Sequence, residues 1–96
     1  MSLSSLRYFD EWEFIREELL VSIKTNDKKN IELMRKGIDL LMAILNEVAE
    51  AAPLNYIERI IFIESNMVKY VAFVQLEELF KETKKKNARI RAQMKH

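Results

Sequence analysis

The 96-residue chain has no cysteine, one glycine, one proline and one histidine. Without cysteine there are no disulfides, no thiolate nucleophile and no cysteine-based zinc or iron–sulfur site. One glycine and one proline cannot supply the many tight turns of an all-β fold. The lone histidine, His96, excludes a His-pair metal site and leaves no partner for a nucleophilic triad. The longest apolar run, Leu40–Leu45, is far short of the roughly 20 residues of a membrane span, so no membrane partner is expected. Asp10 and Glu11 stand where an export leader would need apolar residues, and a cytoplasmic location is expected.

What remains is 49% hydrophobic and 32% charged, the balance of a single packed domain rather than a disordered chain. The formal charge of +1 hides a division. Residues 81–96 carry seven bases and one acid, a net +6, whereas residues 1–80 carry nine bases and fourteen acids, a net −5. The sequence therefore divides into an acidic helical domain, residues 1–83, and a basic C-terminal helix extension or tail, residues 84–96.

Apolar periodicity predicts an all-α fold, a small antiparallel bundle of three helices. In the first, from about Ser5 to Lys24, the residues Tyr8, Trp12, Ile15 and Leu19 form one face, with Phe14 and Val21 off that seam. Thr25-Asn26-Asp27 reads as a loop whose polar side chains can cap the next helix. The second helix, roughly Lys28 to Ala51, carries a seam of Ile31, Met34, Ile38, Leu41, Leu45 and Val48 beside a row of Leu33, Gly37, Leu40 and Ile44. Two adjacent rows call for two neighbours. Gly37 within such a row points to a close helix crossing, with a helix-turn-helix break as the competing reading. Pro53 stops the helix.

The third stretch begins at Asn55, where Asn55-Tyr56-Ile57-Glu58 matches a capping box. Its rows are Tyr56, Ile60, Ile63, Met67, Tyr70 and Val74, and beside them Ile57, Ile61, Val68, Ala72, Leu76 and Leu79. A helix this apolar must be enclosed, and at about 48 Å through Lys86 it overshoots its partners. It must bend, break near Ser65-Asn66, or pair with a second chain; a homodimer through this helix is expected. Glu64 falls where the second row expects an apolar side chain, so it either makes a register-fixing contact with Arg35 or Arg59 or reaches solvent, with Gln75 as another register-fixing residue.

No constellation of catalytic groups emerges. The paired carboxylates (Glu13/Glu17, Glu47/Glu50, Glu77/Glu78) lack the histidines of a bundle metal site, so neither an enzyme nor a cofactor is expected. The leading expectation is a non-catalytic binding protein whose Lys84, Lys85, Lys86, Arg89 and Arg91 contact nucleic-acid phosphates. With no aromatic residue in 81–96, that segment would position a nucleic acid rather than read its bases. The alternative is a protein–protein adaptor or inhibitor, of the immunity, antitoxin or viral host-interaction kind. It would use the first helix, with Trp12 and Phe14 as anchors and Glu13 and Glu17 around them. That reading requires Phe14 and Val21 to face solvent.

Overall fold

The computed structural model describes residues 4–25 and 28–94. The loop signal at Asn26-Asp27, with any cap it supplies, and the terminal Lys95 and His96 lie outside the described residues. The fold is an all-α bundle of four helices among the described residues: α1 (Ser4–Lys24), α2 (Lys29–Glu47), α3 (Tyr56–Ser65) and α4 (Tyr70–Met94). A short 3-10 turn, Ala49–Ala51, joins α2 to the Pro53 loop.

The count of three helices is corrected to four because the third stretch divides at residues 66–69. Neither proline nor glycine makes the break. The Ser65 hydroxyl donates to the Ile61 carbonyl at 3.0 Å, and the Asn66 side-chain amide donates to the Phe62 carbonyl at 2.8 Å. The Asn66 side chain thus takes the Phe62 carbonyl that its own amide would use in a continued helix, and that amide turns to the Ile63 carbonyl instead. Asn66 turns to φ −135° and ψ 32°, and the amides of Lys69 and Ala72 close two turns onto the carbonyls of Asn66 and Lys69.

Two helix ends also differ from the sequence reading. α2 stops at Glu47, ahead of Pro53, where Val48 takes φ −130° and donates its amide to Ile44. Asn55 occupies the N-cap of α3, but no capping box forms because its backbone is left-handed, φ 55°, and its side chain makes no cap bond. Asparagine is among the few residues that tolerate this region. Its carbonyl still accepts the first helical bond, from Arg59 at 3.1 Å.

The core joins Phe9, Trp12 and Leu19 of α1 to the α2 rows, to Ile60 and Ile63 of α3, and to Phe73, Leu76, Leu79 and Phe80 of α4. Trp12 stacks on Phe80 with ring centroids 4.2 Å apart and planes 5° from parallel. α2 meets both α1 and α4, as its two rows require. Gly37 lies at that meeting: a Cβ there would stand 2.7 Å from Trp12 and 2.9 Å from Leu76. The close-crossing reading therefore holds, and α2 runs unbroken through Gly37.

Arg–Glu pairs bind the helices across their joints. Arg16 of α1 pairs with Glu77 of α4, Arg35 of α2 reaches Glu64 of α3 at 2.8 Å, and Arg59 of α3 grips Glu82 of α4 through two nitrogens at 2.9 and 2.6 Å. Glu64 is exposed rather than buried, because the row it belongs to faces outward along α3. Its predicted contact with Arg35 forms, and Gln75 accepts from Arg59 at 3.3 Å.

Candidate binding surfaces

α4 positions the basic residues, and its phase against the core decides which of them are free. Ala72, Leu76, Leu79 and Phe80 face inward, and the same side continues through Thr83 and Asn87, both buried, to the half-buried Arg91. The opposite side carries Lys81, Lys85 and Arg89, spaced four residues apart and all exposed.

The five predicted phosphate contacts thus fall into two groups. Lys85 and Arg89 face solvent, and Lys84 is exposed beside them with its Nζ 6.0 Å from the Phe9 ring centroid. Lys86 is half-buried and donates to the Ala52 carbonyl at 2.9 Å, fastening α4 to the end of the 3-10 turn. Arg91 is half-buried, and its Nε is enclosed without a hydrogen-bond partner among the described residues. Lys81, which was not singled out, belongs to the outward row; the i, i+4, i+8 spacing of Lys81, Lys85 and Arg89 is the signal that finds it. Its nearest acid, Glu78, is 4.0 Å away, while Glu77 and Glu82 are held by arginines. Donation from Arg59 holds the Glu82 carboxyl below its ordinary value against the opposing effect of partial burial, with the charges of Arg59 and Lys86 adding to the lowering.

On α1 the four predicted partner contacts also separate. Trp12 is in the core at 3% exposure, whereas Phe14 is 76% exposed and Val21, one heptad on, is 63% exposed. Glu13 and Glu17 face solvent with them, as do Asp10, Glu11 and Glu18. Glu17, Val21 and Leu33 line an open recess of about 380 Å³ at the α1–α2 end of the molecule. The buried Ser22 hydroxyl, donating to Asn30, ties the two helices together beneath it.

A third surface escaped sequence reasoning as a surface. Ile57, Ile61 and Val68 belong to the apolar row that Ala72 and Leu76 continue, yet they are 57–65% exposed while Ala72 and Leu76 are buried. The break at 66–69 turns one half of that row outward. Among the described residues no group of three or more His, Cys, Asp or Glu side chains could hold a metal ion, and no helix is long and apolar enough to cross a membrane.

These features define a small all-α bundle whose distinguishing chemistry lies on its outer faces. The chain belongs to the YpoC-like protein family, whose model matches residues 3–95. No curated protein and no solved structure matches it.

Proposed function

We propose that this protein is a non-catalytic cytoplasmic binding protein that acts as a homodimer and contacts nucleic-acid phosphates through the outward face of α4. The observation that carries the reading is the row Lys81, Lys85 and Arg89 with Lys84 beside it: four exposed cations on one stretch of helix, with the nearby Glu77 and Glu82 already held by arginines. Lysine and arginine in such a row attract a phosphate backbone by releasing its counterions. The contact would be independent of base sequence, since the row contains no aromatic side chain to stack on bases.

The test is the mobility of a labelled duplex of about 30 base pairs at about 50 and 200 mM salt, comparing the intact chain with a Lys85→Glu, Arg89→Glu variant. Both residues are exposed, so the helix content of the variant should match that of the parent. Truncation after Thr83 is a poorer test, since it also removes the buried Asn87 and the half-buried Ile90 and Arg91. A salt-sensitive shift lost in the variant supports the reading. No shift in the intact chain, or the same shift in both, refutes it.

A second reading, a protein–protein adaptor built on α1, is favoured by the exposure of Phe14 and Val21 within a ring of carboxylates. Trp12 contributes nothing to that surface; Phe14 is the anchor, and Glu13 and Glu17 would select a partner carrying positive charge.

A further inference from the structure

Seven of the eleven exposed large apolar side chains among the described residues lie between Leu54 and Val71. Five of them, Leu54, Ile57, Ile61, Phe62 and Val68, lie on or beside α3 at 41–76% exposure each and together present roughly 500 Å² of apolar surface, within the 300–600 Å² of the largest patch on a typical monomer. A stable interface takes about 800 Å² from each partner, roughly 500 Å² of it apolar, so these five side chains match the apolar share of one such half. α3 rests on α4 and buries only Ile60 and Ile63, and the molecule is 16 Å in its shortest dimension, about two helix layers. No further helix of this chain is left to cover the outer side of α3 among the described residues.

Charge selects the occupant. A two-fold axis that passes through a surface sets that surface against its own copy, so a net charge there meets its like. α4 carries six bases and three acids, and α1 carries five acids and three bases; each would repel its own copy. Residues 54–71 carry Glu58, Glu64, Arg59 and Lys69, which balance, and Glu64 is already paired with Arg35. Of these surfaces, the one with the most exposed apolar area is also the one without net charge.

We infer that this face of α3 is where two copies of the chain join, the helices antiparallel with Ile61 at the two-fold axis. This builds on the homodimer of the reading above but does not depend on the phosphate contact. The arrangement sets Ile61 against Ile61 of the partner subunit. It also sets the Leu54 end of one helix against the Val68 end of the other, so that the exposed residues at both ends of the helix are covered at once. The long, basic α4 is then left out of the dimer contact.

Because the chain has no cysteine, a single introduced thiol reports on this contact without background. Ile61→Cys should give a disulfide-linked species of twice 11.4 kDa under mild oxidation, since a two-fold axis brings the equivalent positions within disulfide reach. Phe14→Cys, at a more exposed position on α1, should stay monomeric on the same gel. In sedimentation, the intact chain should have a dimer mass and Ile61→Glu a monomer mass, with the circular dichroism of the two alike. A monomeric intact chain at high micromolar concentration overturns the proposal, and so does a dimer that survives Ile61→Glu and Ile57→Glu. Equal crosslinking at Phe14→Cys refutes the axis. Mass and gel shift are separate readouts, so loss of duplex binding in a dimeric protein would count against the phosphate reading alone.

Discussion

Replacing both Lys85 and Arg89 with glutamine removes two of the four exposed cations on α4 and should change duplex affinity in a calculable way. The observed binding constant falls with salt with a logarithmic slope of about −0.9 per phosphate contacted. Four cations give a slope of about −3.6, so raising salt from about 50 to 200 mM should weaken binding by roughly 150-fold. With two cations left, the slope should fall to about −1.8 and the same change in salt should cost roughly 12-fold. Counting all six bases from Lys81 to Arg91 would instead predict a loss above a thousandfold. The structure removes Lys86 and Arg91 from the count, because one is held by the Ala52 carbonyl and the other is half-enclosed. Anisotropy of a labelled duplex, titrated at four or so salt concentrations spanning this range, measures the slope directly. Lys86→Gln is the internal control and should leave the slope unchanged. A parental slope of −5 or steeper would show that the segment leaves the bundle to bind, and a slope near zero would remove phosphate contact altogether.

Three further outcomes follow from the packing. Gly37→Ala gains about 1 kcal/mol of helix propensity but drives a methyl to 2.7 Å from a tryptophan already stacked on Phe80; chemical denaturation should show a net loss of about 1 kcal/mol, and a net gain would mean the crossing is looser than described. Thr83→Val should be neutral or stabilise by up to about 1 kcal/mol, because the Thr83 hydroxyl is fully buried without a hydrogen-bond partner among the described residues and valine keeps the shape; destabilisation would reveal a hydrogen bond to that oxygen. Glu82 titrates below its ordinary value through its bond from Arg59, so its contribution is complete above the ordinary value of 4.5 and is lost as pH falls through the depressed one. At 37% side-chain exposure that contribution stays under about 1 kcal/mol. The melting temperatures of the parent and Glu82→Gln should differ at neutral pH and converge in acid; a gap that widened in acid would refute the assignment.

Much of the architecture can be read from residue spacing, and the exceptions have physical causes. The α2 rows and the Gly37 crossing are legible because a buried helix with two neighbours leaves a double apolar row. The break at 66–69 is visible only as one of several ways to shorten an overlong helix. Serine and asparagine interrupt helices through side-chain bonds to carbonyls, and the same residues also occur within unbroken helices. The capping box at Asn55 fails for a conformational reason that spacing does not carry, the left-handed backbone at that residue. On the basic segment, the +6 is plain from composition, but which cations are exposed depends on rotational phase. The inward side of α4 becomes polar past Phe80, at Thr83 and Asn87, so the apolar signal that fixes the phase ends just where the lysines begin.

The division between an acidic first helix and a basic last one could have been spent inside the fold, with α1 and α4 drawn together by opposite charge. The packing is different. Between them lie Phe9, Trp12, Phe73 and Phe80, an aromatic cluster that needs no charge to cohere. Among the described residues, the ion pair that crosses this joint runs against the general polarity: the arginine, Arg16, comes from the acidic helix and the glutamate, Glu77, from the basic one. Asp10, Glu11, Glu13, Glu17 and Glu18 on one helix, and Lys81, Lys84, Lys85 and Arg89 on the other, therefore remain exposed. Reversing the crossing pair, Arg16→Glu with Glu77→Arg, should preserve the bundle and leave both outer faces unchanged, whereas Phe80→Ala should destabilise it by about 3–5 kcal/mol. If the helices were instead held by their opposite charges, high salt would loosen the bundle. A melting temperature indifferent to salt, beside duplex binding that is steeply sensitive to it, would place the charge asymmetry outside the fold and in the service of partners.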